Sequence, residues 1–226
     1  MTMRCVTVAM CVAAALARAG EATSAKGPSR AVVIQDKTPV LFQDNQIGEL
    51  AEGTRLEVRQ RYADWAMVRA QFGANWFMGW VRVSAIAPDS LANVDIKVAR
   101  TAPTSGYRRP DDRRLIIPPP GNQFLVVKVK FEPQEGCAPK VYFDFADPLT
   151  ADLYLRYGRG KALPYAFIRK VEGITRPAFE QTEKRQTLVL TPGQSFIETY
   201  IFVVPPRLRA ATLVLKDRSV EVPLRR

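Results

Sequence analysis

The chain has 226 residues, 47% of them hydrophobic and 24% charged, and its 33 Lys and Arg against 22 Asp and Glu give a formal net charge of +11. No histidine is present, which removes Ser-His-Asp and Cys-His nucleophile systems and imidazole-ligated catalytic zinc, because each needs a ring nitrogen to carry a proton or hold the metal. Seventeen prolines and few segments of helical period point to an all-β chain, long enough for two domains.

At the N-terminus Arg4 precedes a 13-residue run of apolar and small residues from Cys5 to Ala17, followed by Ala17-Arg18-Ala19. A basic start, a short apolar stretch and an Ala-x-Ala exit are the marks of a secretory signal, and 13 residues are too few to cross about 30 Å of hydrocarbon as a helix. Residues 1–19 are therefore expected to be removed after Ala19, with Ala25 as the fallback, leaving an exported chain without a transmembrane anchor. Residues 20–30 are small and polar and read as a flexible leader. Cys5 and Cys11 fall inside the signal, so Cys137 stands alone, as a small loop residue or as a reactive or intermolecularly paired thiol.

Short apolar segments follow at Ala31 to Ile34, Thr38 to Phe42, Glu49 to Leu50, Arg55 to Tyr62, Trp65 to Gln71 and Trp76 to Val83. Gln46-Ile47-Gly48 and Glu52-Gly53 supply turn signals, Ser84-Ala85-Ile86 a closing turn, and strands so closely spaced suggest a small barrel. Period two places Ala66, Val68 and Ala70, with Phe77, Gly79, Val81 and Val83, on the core face. Trp65, Met67, Trp76, Met78 and Trp80 then share the opposite face as an aromatic and thioether strip, with Tyr62 at its rim. Such a strip is either covered by a strand, a loop or the second domain, or it meets a ligand or partner.

The succession Val40-Leu41-Phe42, Leu50-Ala51-Glu52-Gly53-Thr54, Leu56-Glu57-Val58, Trp65-x-x-Val68 and Gly79-Trp80-Val81 resembles the bacterial SH3-like (SH3b) family over residues 31–88. The resemblance implies a barrel that binds or positions, with wall peptide or glycan as the ligand class. Phe72 to Met78 departs from the family's pattern, being longer and more aromatic than its usual Gly turn.

Pro88 to Val94 reads as a short linker. Candidate strands then recur from Asp95 to Leu224, with turns at Pro118-Pro119-Pro120-Gly121, Asp147-Pro148, Gly158-Arg159-Gly160 and Thr191-Pro192-Gly193, and seven to nine of them suggest an antiparallel sandwich over residues 94–226. In the strand from Gln123 to Glu132, Leu125, Val127, Val129 and Phe131 share a core face, leaving Lys128 and Lys130 on a wet one. Gly121 to Val127, the hairpin from Leu153 to Tyr165, Leu190 to Ser195 and Ile201 to Pro205 resemble telokin-like, immunoglobulin-like (Ig-like) domains, which implies a fold and no activity.

Residues 30–88 carry seven Lys and Arg against six Asp and Glu, whereas residues 89–226 carry 23 against 15. Arg108, Arg109, Arg113 and Arg114, around Asp111-Asp112, and Lys128 and Lys130 are the basic surface candidates. They serve either as solvated loops and edge protection or as an attractor for anionic polymers and headgroups. No recognised nucleic-acid motif accompanies them. Asp144, Asp147 and Asp152 lack the alternating ligand spacing of a calcium loop, and Asp147-Pro148 reads as a turn.

The expectation is a non-catalytic binding module of the cell envelope, periplasmic or secreted, without cofactor or metal, engaging wall polymer or an envelope protein. An assembly protein whose strip is the interdomain interface stands second. A histidine-free enzyme using carboxylates or a Ser-Lys pair stands third.

Overall fold

The computed structural model describes residues 29–72, 75–109, 112–145, 149–171, 174–180 and 185–224. The expected secretory segment, both cleavage points, the leader up to residue 28, Asp111 and Asp147 lie outside the described residues. The described chain is all-β, built of antiparallel sheets with one short 3-10 turn, and divides into two compact units at Pro88/Asp89.

The first unit contains β1 (Ser29–Val33), β2 (Thr38–Phe42), β3 (Asn45–Leu50), β4 (Arg55–Tyr62), β5 (Trp65–Phe72), β6 (Asn75–Arg82) and β7 (Ile86–Pro88). They form one sheet in the order β3-β2-β6-β5-β4-β1-β7. Every strand of this sheet places at least one buried apolar side chain in a single cluster that includes Val33, Val40, Leu50, Leu56, Val68, Val81 and Ile86. Because the edge strands β3 and β7 contribute to the same core as the central ones, the sheet curls around it. Gly79 belongs to this face: a Cβ there would overlap Val40 Cγ1 and stand 3.0 Å from the Leu41 carbonyl oxygen, so β2 crosses β6 at its bare backbone.

Gln46-Ile47-Gly48, expected as a turn, is the body of β3. The turn lies one step earlier, at Gln43 and Asp44, whose positive φ values of 48° and 66° are those of a two-residue hairpin turn. Ladder bonds to β2, with a register shift at Val40/Leu41, hold β3 although only Leu50 of its six residues is buried.

The second unit holds β8 (Val94–Thr104), β9 (Tyr107–Arg108), β10 (Leu115–Ile116), β11 (Gln123–Pro133), β12 (Lys140–Asp144), β13 (Leu153–Tyr157), β14 (Gly160–Ala162), β15 (Pro164–Val171), β16 (Ile174–Glu180), β17 (Arg185–Val189), β18 (Phe196–Val204), β19 (Ala211–Leu215) and β20 (Arg218–Val222). Its sheets are β16-β15-β18-β11-β8, β14-β13-β19-β20, and the pairs β12-β17 and β9-β10. Leu125, Val127, Val129 and Phe131 are buried on one face of β11, as alternation requires. Tyr200 on β18 lies opposite Val127 and reaches Gln186 Oε1 on β17 at 3.5 Å, so this face meets the β12-β17 pair.

Two expectations are corrected. The other face of β11 is wet only at one end, because Phe124 is fully buried there with Tyr107, Ala166 and Ile201, and Ile116, Val126 and Tyr165 pack around them. The stretch from Asp89 to Asn93 is not a free linker: Leu91 is fully buried, its N–H donates to Asp217 Oδ1 at 3.2 Å, and Asp89 pairs with Lys216.

Candidate functional site

The outer face of β4, β5 and β6 collects the tryptophan strip. Antiparallel register sets Trp65 opposite Arg82, Met67 opposite Trp80, Arg69 opposite Met78 and Gln71 opposite Trp76, while Ala66, Val68 and Ala70 turn into the core. Trp76 and Met78 are exposed, at 54% and 49%, whereas Trp65, Met67, Trp80 and Tyr62 are half-buried. The strip is thus graded, with its accessible end at the β5-β6 hairpin.

Cations lie among these rings. The Arg69 guanidinium stands 4.1 Å from the centroid of Trp76 and that of Arg82 stands 4.0 Å from Trp65. Guanidinium stacking of this kind contributes about 0.5–1 kcal/mol at an exposed site and fixes the ring as a flat platform. Glu57, directly across from Arg69, binds Arg59 at 2.7 Å and Arg69 at 3.9 Å. Arg59, Arg69 and Arg82 therefore share this face with the Glu57 carboxylate. Arg59 stands at a β-bulge between Val58 and Gln60 and lines one groove with Trp76. That groove, about 540 Å³, is open and lined by Arg59, Arg69, Trp76, Phe77 and Met78. A ring stacked on Trp76 with an anionic substituent toward Arg59 matches what the surface offers. Alternation already sets Arg69 and Arg82 on the face of the tryptophans, but their stacking on the rings and the presence of Arg59 in the groove depend on cross-strand contacts that the sequence does not show.

The basic candidates of the second unit fall into two groups. Lys128 lies across from Arg100 and Lys130 across from Lys97, on the exposed end of the β11 face. Opposed like charges destabilise a sheet, and Glu132 offsets the second pair by binding Lys130 Nζ at 2.5 Å and Lys97 Nζ at 3.1 Å. Hydrogen bonds from Lys130 and then Lys97 hold the Glu132 carboxyl below the usual carboxylate range, and the Glu132 hydrogen bond raises Lys97. Arg108, Arg109, Arg113 and Arg114 gather at the loop of the β9-β10 hairpin. There Arg109 N–H donates to Arg114 O at 2.9 Å and Asp112 Oδ1 accepts the Arg114 N–H at 2.9 Å.

The acidic residues do structural work. Asp152 Oδ2 accepts the Asp144 N–H at 2.8 Å and stands 3.8 Å from Lys216 Nζ, which is itself 2.5 Å from Asp89 Oδ1. The Lys216 and Asp89 side chains are buried and Asp152 is partly so, and none of these residues lines the groove beside Trp76. Among the described residues no three His, Cys, Asp or Glu side chains are placed to hold a metal ion, and no helix is long and apolar enough to cross a membrane. Cys137 is half-buried in the loop after β11, where its N–H donates to Gln134 O at 3.2 Å. Comparison with known proteins gave no matching family model, no matching curated protein and no matching solved structure.

Proposed function

We propose that the chain is an exported, non-catalytic binding module of the cell envelope, an SH3-like barrel followed by an Ig-like sandwich. Wall peptide or glycan, or another envelope protein, is engaged by the aromatic strip. The observation that carries this reading is the open end of the strip: Trp76 and Met78 exposed beside Arg59 and Arg69, in a groove of about 540 Å³. Large exposed aromatics flanked by cations are the residue types that dominate binding surfaces. The basic balance of the second unit adds long-range attraction for anionic wall polymers, which falls with salt.

Retention on purified wall material tests the reading. Removing an anchoring tryptophan costs about 2 kcal/mol at a binding hot spot, so Trp76→Ala is expected to weaken retention at least roughly tenfold while the melting temperature holds. Arg69→Ala is expected to weaken retention less, and the loss to shrink in high salt. Retention unaffected by both substitutions rejects the strip as the contact surface.

A further inference from the structure

The β9-β10 hairpin has two dissimilar faces. Inward, Tyr107 packs edge-on against Phe124 with ring centroids 5.6 Å apart and against Tyr165 at 6.4 Å, and Ile116 joins the same cluster. Register pairs Tyr107 with Ile116 and Arg108 with Leu115, so Arg108 and Leu115 point the other way. Outward, Leu115 is 53% exposed and Ile117, just beyond it, 70%.

Gly106 brings these two together. A methyl group placed there would stand 3.1 Å from Leu115 Cδ1 and 3.7 Å from Ile117 Cγ2, so both side chains fold over bare backbone and form one aliphatic knob. Thr104 Oγ1, donating to Gly106 O at 2.7 Å, braces the bend. Beside the knob sits the arginine loop. Asp112 is turned into it, accepting from Arg114 N–H and lying 3.6 Å from Arg109 Nε. Arg108, Arg113 and Arg114 remain exposed at its surface.

Exposed arginines alone suit any anion, and exposed aliphatic side chains alone suit any apolar contact. Their combination on one hairpin, whose strands are anchored by Tyr107 and Ile116, is selective. Sugars stack on aromatic rings, and the one aromatic residue of the hairpin faces inward. Leucine and isoleucine next to arginine instead match a lipid boundary, where guanidinium groups meet phosphates and aliphatic groups enter the acyl region. We propose that the β9-β10 hairpin docks the protein on an anionic lipid surface, with Leu115 and Ile117 inserted at the headgroup boundary and Arg108, Arg113 and Arg114 on the phosphates. This contact uses none of the residues of the tryptophan strip and its chemistry does not depend on them.

Flotation of the whole chain with phosphatidylglycerol-containing vesicles, and with purely phosphatidylcholine vesicles, tests the proposal. Binding is expected to the anionic vesicles alone and to fall at high salt. An arginine near an anionic surface is worth roughly fivefold in affinity, so Arg108→Gln/Arg113→Gln/Arg114→Gln is expected to weaken binding roughly a hundredfold. Leu115→Ser/Ile117→Ser, both exposed positions, is expected to weaken it about tenfold or more with an unchanged melting curve. Trp76→Ala is expected to leave vesicle binding intact, which separates failure of this proposal from failure of the wall-binding reading. Equal binding to neutral vesicles overturns the proposal, as does indifference to the Leu115/Ile117 change. Displacement by millimolar inorganic phosphate, or loss of vesicle binding in Trp76→Ala, overturns it as well.

Discussion

Lys216→Met isolates the buried ion cluster of the second unit. The side chains of Lys216 and Asp89 are only 5% and 7% exposed, with Nζ and Oδ1 2.5 Å apart, and Asp152 Oδ2 lies 3.8 Å from the same nitrogen. Methionine keeps most of the apolar stem but leaves two carboxylates without their shared cation. Removing one partner of a buried pair costs about 3–5 kcal/mol, because the remaining charge keeps its desolvation penalty. At a urea m-value of about 2 kcal/mol/M, the midpoint of the affected transition should fall by about 2 M. Urea titration by far-UV circular dichroism measures this, and tryptophan fluorescence, confined to the first unit by Trp65, Trp76 and Trp80, provides an internal reference. Adding Asp89→Asn to Lys216→Met removes one of the two stranded charges and is expected to restore part of the loss. A cost below about 1 kcal/mol for Lys216→Met, or a double variant weaker than the single one, refutes the reasoning.

Gly79→Ala is expected to destabilise the first unit by about 1–3 kcal/mol, since the added methyl overlaps Val40 and crowds the Leu41 carbonyl where β2 crosses β6. Thermal melting followed by tryptophan fluorescence should register it, and an unchanged midpoint contradicts the close crossing. The Glu132 carboxyl is depressed first by Lys130 and then by Lys97, so its stabilising contribution is fully present above the unfolded carboxylate pKa and is lost as pH falls through the lower folded one. Carbon-detected NMR titration should find its midpoint below that of an unperturbed glutamate and see it rise in Lys130→Ala. A midpoint that does not move removes Lys130 as the cause.

Local pattern made the strip legible, because alternation along β5 and β6 needs no knowledge of partners: small residues and valines fill one face and the tryptophans the other. What went unread depends on partner strands rather than on local composition. Gln46-Ile47-Gly48 looks like a turn by composition, yet β2 recruits it as a strand, while Gln43-Asp44 turns the chain without a glycine. Phe124 sits in phase with Lys128 and Lys130, and only the β9-β10 hairpin folding over that end explains its burial. The stretch after Pro88 carries the polar residues of a linker, but its role is set by Lys216 and Asp217, more than a hundred positions later. Arg59 became a groove residue through a bulge, which no periodicity encodes.

The place of β11 bears on how the chain comes to be folded. In the first unit β4, β5 and β6 form by successive hairpins, so most of their pairing closes over short loops. Strand β11 follows β8 closely in the chain, whereas its other neighbour, β18, begins more than sixty residues after β11 ends. Closing so long a loop is slow relative to local pairing. As the chain emerges, Val127, Val129 and Phe131 must wait with an unzipped edge until Tyr200 and its strand arrive. A strand that waits unpaired on one side is open to wrong partners, and charged side chains such as Lys128 and Lys130 on β11 oppose such pairing.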